Sequence, residues 1–125
     1  GQIEHFIPEF LNRIKKKKYE IYGYKNTRTF IYIDDVVKAT LKIFKMSKSK
    51  NQIINLGGNK EINIYEISKL ILKILKIKKK VKKYPAPQGS PLRRKPDISK
   101  AVKLIGDFNK TNLISGLKKT IKLWK

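Results

Sequence analysis

The sequence has no cysteine, so neither a disulfide framework nor a thiolate metal site can support it. It has one histidine, His5, which cannot build a metal site unaided and, alone on a helix face, reads as an ordinary side chain. No apolar run approaches the roughly 20 residues needed to cross a bilayer. No secretory signal opens the chain, because Gln2-Ile3-Glu4-His5 already belongs to an amphipathic pattern. Acidic residues are scarce, 9 Asp and Glu against 31 Lys and Arg, which gives a formal net charge of +22. Arginine is scarce as well: 27 of the cations are Lys and 4 are Arg. That balance argues against a sequence-specific nucleic-acid reader, since such proteins use the Arg fork to hold base edges. The 19 Ile and 8 Asn share AT-rich codons with Lys, so a biased genome could produce this mixture without selection for a partner. Whatever its origin, the charge implies weak, salt-sensitive binding of polyanions.

The length of 125 residues bounds one domain with a real core. The chain begins at Gly1 rather than Met and is expected to be a piece of something longer. Ile3, Phe6, Ile7, Phe10, Leu11 and Ile14 recur at helical spacing, and the helix they predict ends in Lys15–Lys18, where cations suit the dipole. Glu20-Ile21-Tyr22 predicts a short strand stopped by Gly23, and Thr29–Ile33 a second. Asp34 or Asp35 is expected to cap a helix that turns Val36, Val37, Thr40, Leu41 and Phe44 to one face. Gln52–Leu56 reads as a strand entering the Gly57-Gly58-Asn59 turn. Asn63 and Glu66 have capping-box spacing and open a helix with Ile64, Ile67, Leu70, Ile71 and Ile74 inward.

Val81–Tyr84 reads as a further short strand. Residues 84–96 hold four of the five prolines and are expected to be extended and stiff. Asp97 is expected to cap a short helix through Leu104, and Ile114, Leu117, Ile121 and Trp124 form the stripe of a last helix. The Lys-rich stretches 15–18 and 78–83 read as solvated ends of elements. The fold class is a small α/β domain, α+β-like, with no Rossmann unit of its own.

Arg28 enters a predicted strand, where its fork could hold a phosphate bidentately or pair with Asp34 or Asp35. Arg93 and Arg94 end the stiff loop at a helix start, where two guanidinium groups could close on a diphosphate or stand as exposed cations. They are two of the four Arg in a chain that otherwise uses Lys, which favours a need for fork geometry. Phe6 and Tyr22 read as ordinary core packing. Tyr65 and Lys69 fit the Tyr-x-x-x-Lys spacing, and Asn55–Asn59 faintly suggests a phosphate loop, but the latter lacks the spaced glycines and the Lys-Ser/Thr of real nucleotide loops.

Pro91-Leu92-Arg93-Arg94-Lys95-Pro96-Asp97-Ile98-Ser99, with Thr27-Arg28-Thr29-Phe30-Ile31-Tyr32-Ile33-Asp34-Asp35-Val36 upstream, resembles the C-terminal substrate part of extended short-chain dehydrogenase/reductases. These are NAD-dependent epimerases, dehydratases and decarboxylases of nucleotide sugars. The resemblance runs from Phe6-Ile7-Pro8 through the closing Gly116-Leu117-Lys118-Lys119-Thr120-Ile121. It implies that Arg28 and Arg94, with Arg93 as a neighbour, contact the diphosphate of the substrate, and that the segments holding Phe6, Glu20 and Tyr22 wrap its base. It also implies that the catalytic Tyr-x-x-x-Lys precedes the Thr-Arg-x-Phe motif, so Tyr65 and Lys69 are rejected as that pair.

The departures are specific. Only Tyr24-Lys25-Asn26 separate Tyr-Gly from Thr-Arg, Ser90 stands where many relatives have Asp, and Asp107-Phe108-Asn109 replaces the usual corner after Gly106. The expected function is therefore that of a sugar-nucleotide-binding domain, residues 1–125, with no catalytic, cofactor or metal residue of its own. The resemblance implies that a missing Rossmann half binds NAD in a complete, dimeric, cytoplasmic enzyme. The rival reading is a small Lys-rich nucleic-acid-binding module, which predicts exposed aromatics among cations. A membrane-surface role has little support from such short charge blocks.

Overall fold

A computed structural model describes residues 2–46 and 50–124; the side chains of residues 2–5, His5 among them, lie outside the described set. The described residues form, in order, α1 (Gln2–Lys15), β1 (Glu20–Tyr22), β2 (Thr27–Thr29), α2 (Ile33–Phe44), β3 (Glu61–Asn63), α3 (Ile64–Ile74), β4 (Lys82–Tyr84), β5 (Arg93–Arg94), α4 (Ser99–Ile105) and α5 (Leu113–Trp124). The class is small mixed α/β, as the sequence predicts. The chain divides into two compact units, residues 1–28 with 61–94, and residues 29–60 with 95–125.

In the first unit β1 pairs in parallel with β4, Ile21 opposite Lys83, and a second sheet has the order β3-β2-β5. Phe10, Leu11 and Ile14 of α1, Ile21 of β1, and Ile64, Ile67, Ile71 and Leu72 of α3 are buried. Each such side chain removed from water stabilises by about 1.5–3 kcal/mol, and together they fix both helices against the strands. Pro8 lies inside α1, which continues past it at the loss of one backbone bond. The predicted cap of α3 is present: the Asn63 side-chain oxygen accepts from the backbone N–H of Tyr65 and Glu66 at 2.8 and 3.3 Å. At the other end, Ile77 N–H donates to the Leu72 carbonyl at 2.9 Å, and Lys76 adopts a left-handed conformation. That turn folds the Lys-rich segment back toward the helix.

In the second unit Ala39, Ala101 and Phe108 form a buried cluster, with Ile43, Leu56 and Ile105 packed against it. Asp97 Oδ1 accepts from the Ser99 N–H at 3.0 Å, so it satisfies the first turn of α4, although the capping position itself is Ile98. This bond holds the Asp97 carboxyl below its ordinary pKa. Leu117 and Ile121 of α5 are buried, whereas Ile114 is exposed.

Three expectations are corrected in this unit or at its border. The second strand is Thr27–Thr29, not Thr29–Ile33. It stops because Gly58 meets the backbone of Phe30 closely: a Cβ on Gly58 would lie 2.5 Å from the Phe30 carbonyl oxygen. Gln52–Leu56 is irregular rather than a strand, since an apolar run forms a strand only where another strand pairs with it. Neither Asp34 nor Asp35 caps α2, whose capping position is Tyr32. Asp35 is buried and accepts from the Lys110 and Thr111 N–H groups at 3.0 and 2.8 Å and from Thr111 Oγ1 at 3.2 Å. That choice turns α2 about its axis. Asp35 and Ala39 are buried, while Val37, Leu41 and Phe44, expected on one face, are exposed together with Ile33.

Candidate functional site

All six candidate residues fall in the first unit, but in three groups. The site is built on the β3-β2-β5 sheet, where parallel pairing sets Thr27 beside Arg93 and Arg28 beside Arg94. Side chains alternate faces along a strand, and register partners share a face. One face therefore carries Thr27 and Arg93, and the other carries Arg28 and Arg94.

The first face is neutralised. Glu61 of β3 receives the Thr27 hydroxyl at 3.0 Å and Arg93 Nε at 2.9 Å, and its other oxygen takes the second arm of the Arg93 fork. This bidentate pairing raises the Arg93 pKa, the hydrogen bonds contributing most. Arg93 is occupied as a structural tie between β5 and β3.

The second face is not neutralised. Arg28 is only 8% exposed, and its guanidinium donates to neutral oxygens: the Thr27 carbonyl at 2.7 Å, the Pro91 carbonyl at 3.1 Å and Ser90 Oγ at 3.5 Å. Among the described residues no carboxylate pairs with it. Burial lowers its pKa, and the neighbouring Arg94 charge lowers it further. Ser90 also accepts from Asn26 Nδ2 at 3.3 Å, and Asn26 is buried at the end of the short turn after Gly23. The shortened loop therefore delivers Arg28 into the sheet in register. Two guanidinium groups on one face, one of them buried against uncharged oxygens, form a site suited to an anion with paired phosphate oxygens.

Glu20 and Tyr22 form a separate group on β1. The Tyr22 hydroxyl donates to Glu20 Oε1 at 3.4 Å, its ring stacks on Tyr84 of β4 at 5.2 Å, and Arg13 lies 5.0 Å from the ring centre. Tyr22 is partly exposed and is not core. Phe6 stacks on Phe10 at 5.7 Å and is half-buried. The sequence reading missed Ser90, Asn26, Glu61, Arg13 and Tyr84. Glu61 carried a signal, since in a chain with 9 acids against 31 cations each acid is a candidate tie; Ser90 carried one as the uncharged member of a motif that often has Asp there.

The Asn55–Asn59 segment does not fit a dinucleotide phosphate. The space beside its glycines is filled from within, Gly58 by Phe30 backbone and Gly57 by the Pro96 ring at 2.5 Å from a built Cβ. Among the described residues no group of three or more His, Cys, Asp and Glu could hold a metal, and no helix is long and apolar enough to cross a membrane.

A sequence profile of the NAD dependent epimerase/dehydratase family matches residues 1–57. An uncharacterized protein of Methanocaldococcus jannaschii is 38% identical over 109 residues, covering 86% of this chain and 33% of that protein. UDP-glucuronic acid decarboxylase 1 of Danio rerio is 32% identical over 121 residues, covering 96% of this chain and 28% of that enzyme. The structure of a UDP-glucose 4-epimerase from Thermotoga maritima with UDP-glucose superimposes with a TM-score of 0.80 at 26% identity, over 99% of this chain and 39% of that one. The chain thus spans a third or less of the length of these two curated relatives. With the Thr-Arg-x-Phe and Arg-x-Pro-Asp segments meeting on one sheet in a fold of this kind, the chain belongs to the NAD dependent epimerase/dehydratase family and matches the C-terminal part of its structures.

Proposed function

We propose that the chain is the sugar-nucleotide-binding part of an NAD-dependent epimerase, dehydratase or decarboxylase, and that its 125 residues act as one domain in that role. Arg28 and Arg94 hold the nucleotide diphosphate, and the Glu20–Tyr22 strand with Phe6 borders the base. The observation that carries this reading is the buried Arg28 guanidinium, without a carboxylate partner among the described residues and in register with Arg94. Burying one cation beside another is unfavourable, and a diphosphate offsets that cost by neutralising both. Binding of this kind orients the sugar for chemistry performed by groups elsewhere in the enzyme. The Rossmann half, supplied in cis or in trans, the binding of NAD by it, dimer formation and a cytoplasmic setting belong to the same proposal.

Calorimetric titration with UDP-glucuronic acid tests the reading. A charge-assisted Arg–phosphate bond contributes about 1.5–3 kcal/mol, so Arg94→Lys is expected to weaken binding by roughly 10- to 100-fold. Lys118→Gln, a change on the exposed side of α5, is expected to leave it unaltered. Unchanged affinity in Arg94→Lys overturns the diphosphate clamp.

A further inference from the structure

A second cationic feature lies in the first unit, away from the β3-β2-β5 sheet. One side of α3, from Tyr65 on, and the segment from Lys76 to Lys83 border an open cleft of about 840 Å³. Seven lysines from Lys69 to Lys83 line it and no acidic side chain does; Lys69 is paired with Glu66 at 3.0 Å, and the other six have no carboxylate among the lining residues. Its floor is apolar, formed by Leu72, Ile77 and Val81. Lys78, Lys79 and Lys80 are exposed, as the sequence predicts for a solvated run, but they share one concave surface with Lys73 and Lys76 of the helix end. The turn described above produces this, since the Leu72–Ile77 bond reverses the chain over its own helix. Lys69 and Lys83 each place an ammonium 4.7 Å from the Tyr65 ring centre, so both are gathered at one end of the cleft.

The helix dipole accounts for cations at the end of α3 but not for the further lysines folded back against them. Ammonium groups crowded around one concavity repel one another, and the repulsion is relieved by a multivalent anion. We propose that this cleft binds a small organic polyphosphate, its phosphates on the lysine rim and its organic body on the Leu72, Ile77 and Val81 floor. The volume lies in the range of small-molecule sites, about 300–1,000 Å³. Lysine is suited to clustered phosphates because its rotatable ammonium imposes little directional demand. An apolar floor adds nothing for inorganic phosphate, so the organic body distinguishes the ligand from a bare anion. Tyr65 is flanked by two ammonium groups, which leaves no open ring for the repeated stacking of a single-stranded nucleic acid.

The test is calorimetric titration of the chain at physiological salt, with ATP and with inorganic tripolyphosphate, in the absence of divalent metal. ATP is expected to bind saturably, one per chain, and more tightly than tripolyphosphate. The triple variant Lys73→Gln, Lys76→Gln, Lys79→Gln is expected to weaken ATP binding roughly tenfold. The equally neutralising triple Lys16→Gln, Lys17→Gln, Lys18→Gln is expected to change it less than twofold. Saturating UDP-glucuronic acid is expected to leave ATP binding unaltered, which separates this site from the diphosphate clamp. Should the first triple fail to fold by circular dichroism, Lys79→Glu alone, at an exposed position, carries the same comparison. Equal losses in both triples, tripolyphosphate binding as tightly as ATP, or binding confined to oligo-dT or to phosphatidylserine vesicles overturns the proposal.

Discussion

Arg28 and Arg94 are 66 positions apart, and no periodicity in the sequence relates them. Their meeting depends on the register of a two-residue strand against β2, which long-range pairing decides and local pattern does not record. Resemblance to a family supplied that link; residue chemistry alone left Arg28 divided between a phosphate and a nearby Asp. The same register explains why Arg93 and Arg94, adjacent and identical, have opposite fates, one locked to Glu61 and the other beside Arg28. Asp35 is the other residue whose role lay outside the reach of spacing. As an anion near the start of a helix it read as a cap, but its three acceptor contacts run to Lys110 and Thr111, 75 and 76 positions on. Asp35→Ala leaves two part-buried backbone N–H groups without that acceptor, at about 1–2 kcal/mol each. The variant is therefore expected to lose about 2–4 kcal/mol in urea unfolding. A loss below 0.5 kcal/mol would show that water replaces the carboxylate at no cost.

At the scale of elements, the helices were legible and the strands less so. α1 and α3 follow their hydrophobic spacing because each buries one stripe against its own unit, α5 buries Leu117 and Ile121 of its stripe but not Ile114, and Asn63 caps α3 as its spacing indicates. β1 and β4 were also legible, each flanked by turn or Lys-rich segments, while Gln52–Leu56 was not, because strand character depends on long-range pairing that local pattern does not record. α2 departs most: its apolar stripe Ile33, Val37, Leu41 and Phe44 faces outward, with Phe44 86% exposed. The helix has two usable faces, and the polar ties of Asp35 select the less apolar one. Leu41→Ser with Phe44→Ser is accordingly expected to change unfolding stability by less than 1 kcal/mol, while reducing hydrophobic-dye binding and self-association. A loss of several kcal/mol would place that stripe in the core. α4 offers a pH test. Its Asp97 carboxyl has a folded pKa below the ordinary 3.8, so its contribution is present above that value and is lost as pH falls through the folded one. Fraying of the Ser99 amide by hydrogen exchange is expected to rise only in strongly acidic solution, and Asp97→Asn is expected to remove that dependence.

At the scale of the whole molecule, the sequence was most informative through its family resemblance and least through its charge. The formal +22 does not distinguish a codon-driven excess from a selected surface; only geometry shows that some cations are paired, some face a shared cleft and one is buried beside another. The glycine pattern is similarly ambiguous until its surroundings are known. Gly57 and Gly58 have the residue type of a phosphate loop, but the space a side chain would need is taken by Pro96 and Phe30. Dinucleotide binding requires the opposite arrangement, glycines that open a strand-to-helix turn so that backbone N–H groups reach the pyrophosphate. Residues 1–125 are therefore expected to show no saturable NAD binding by calorimetry and no epimerase, dehydratase or decarboxylase turnover with UDP-glucuronic acid, even where that substrate binds. Adding back a family Rossmann half, by fusion or as a separate chain, is expected to restore NAD binding, with the Arg94→Lys penalty then appearing in turnover as well as in affinity. Saturable micromolar NAD binding by the chain alone would show that its own residues build a cofactor site, and the division of labour proposed here would fail.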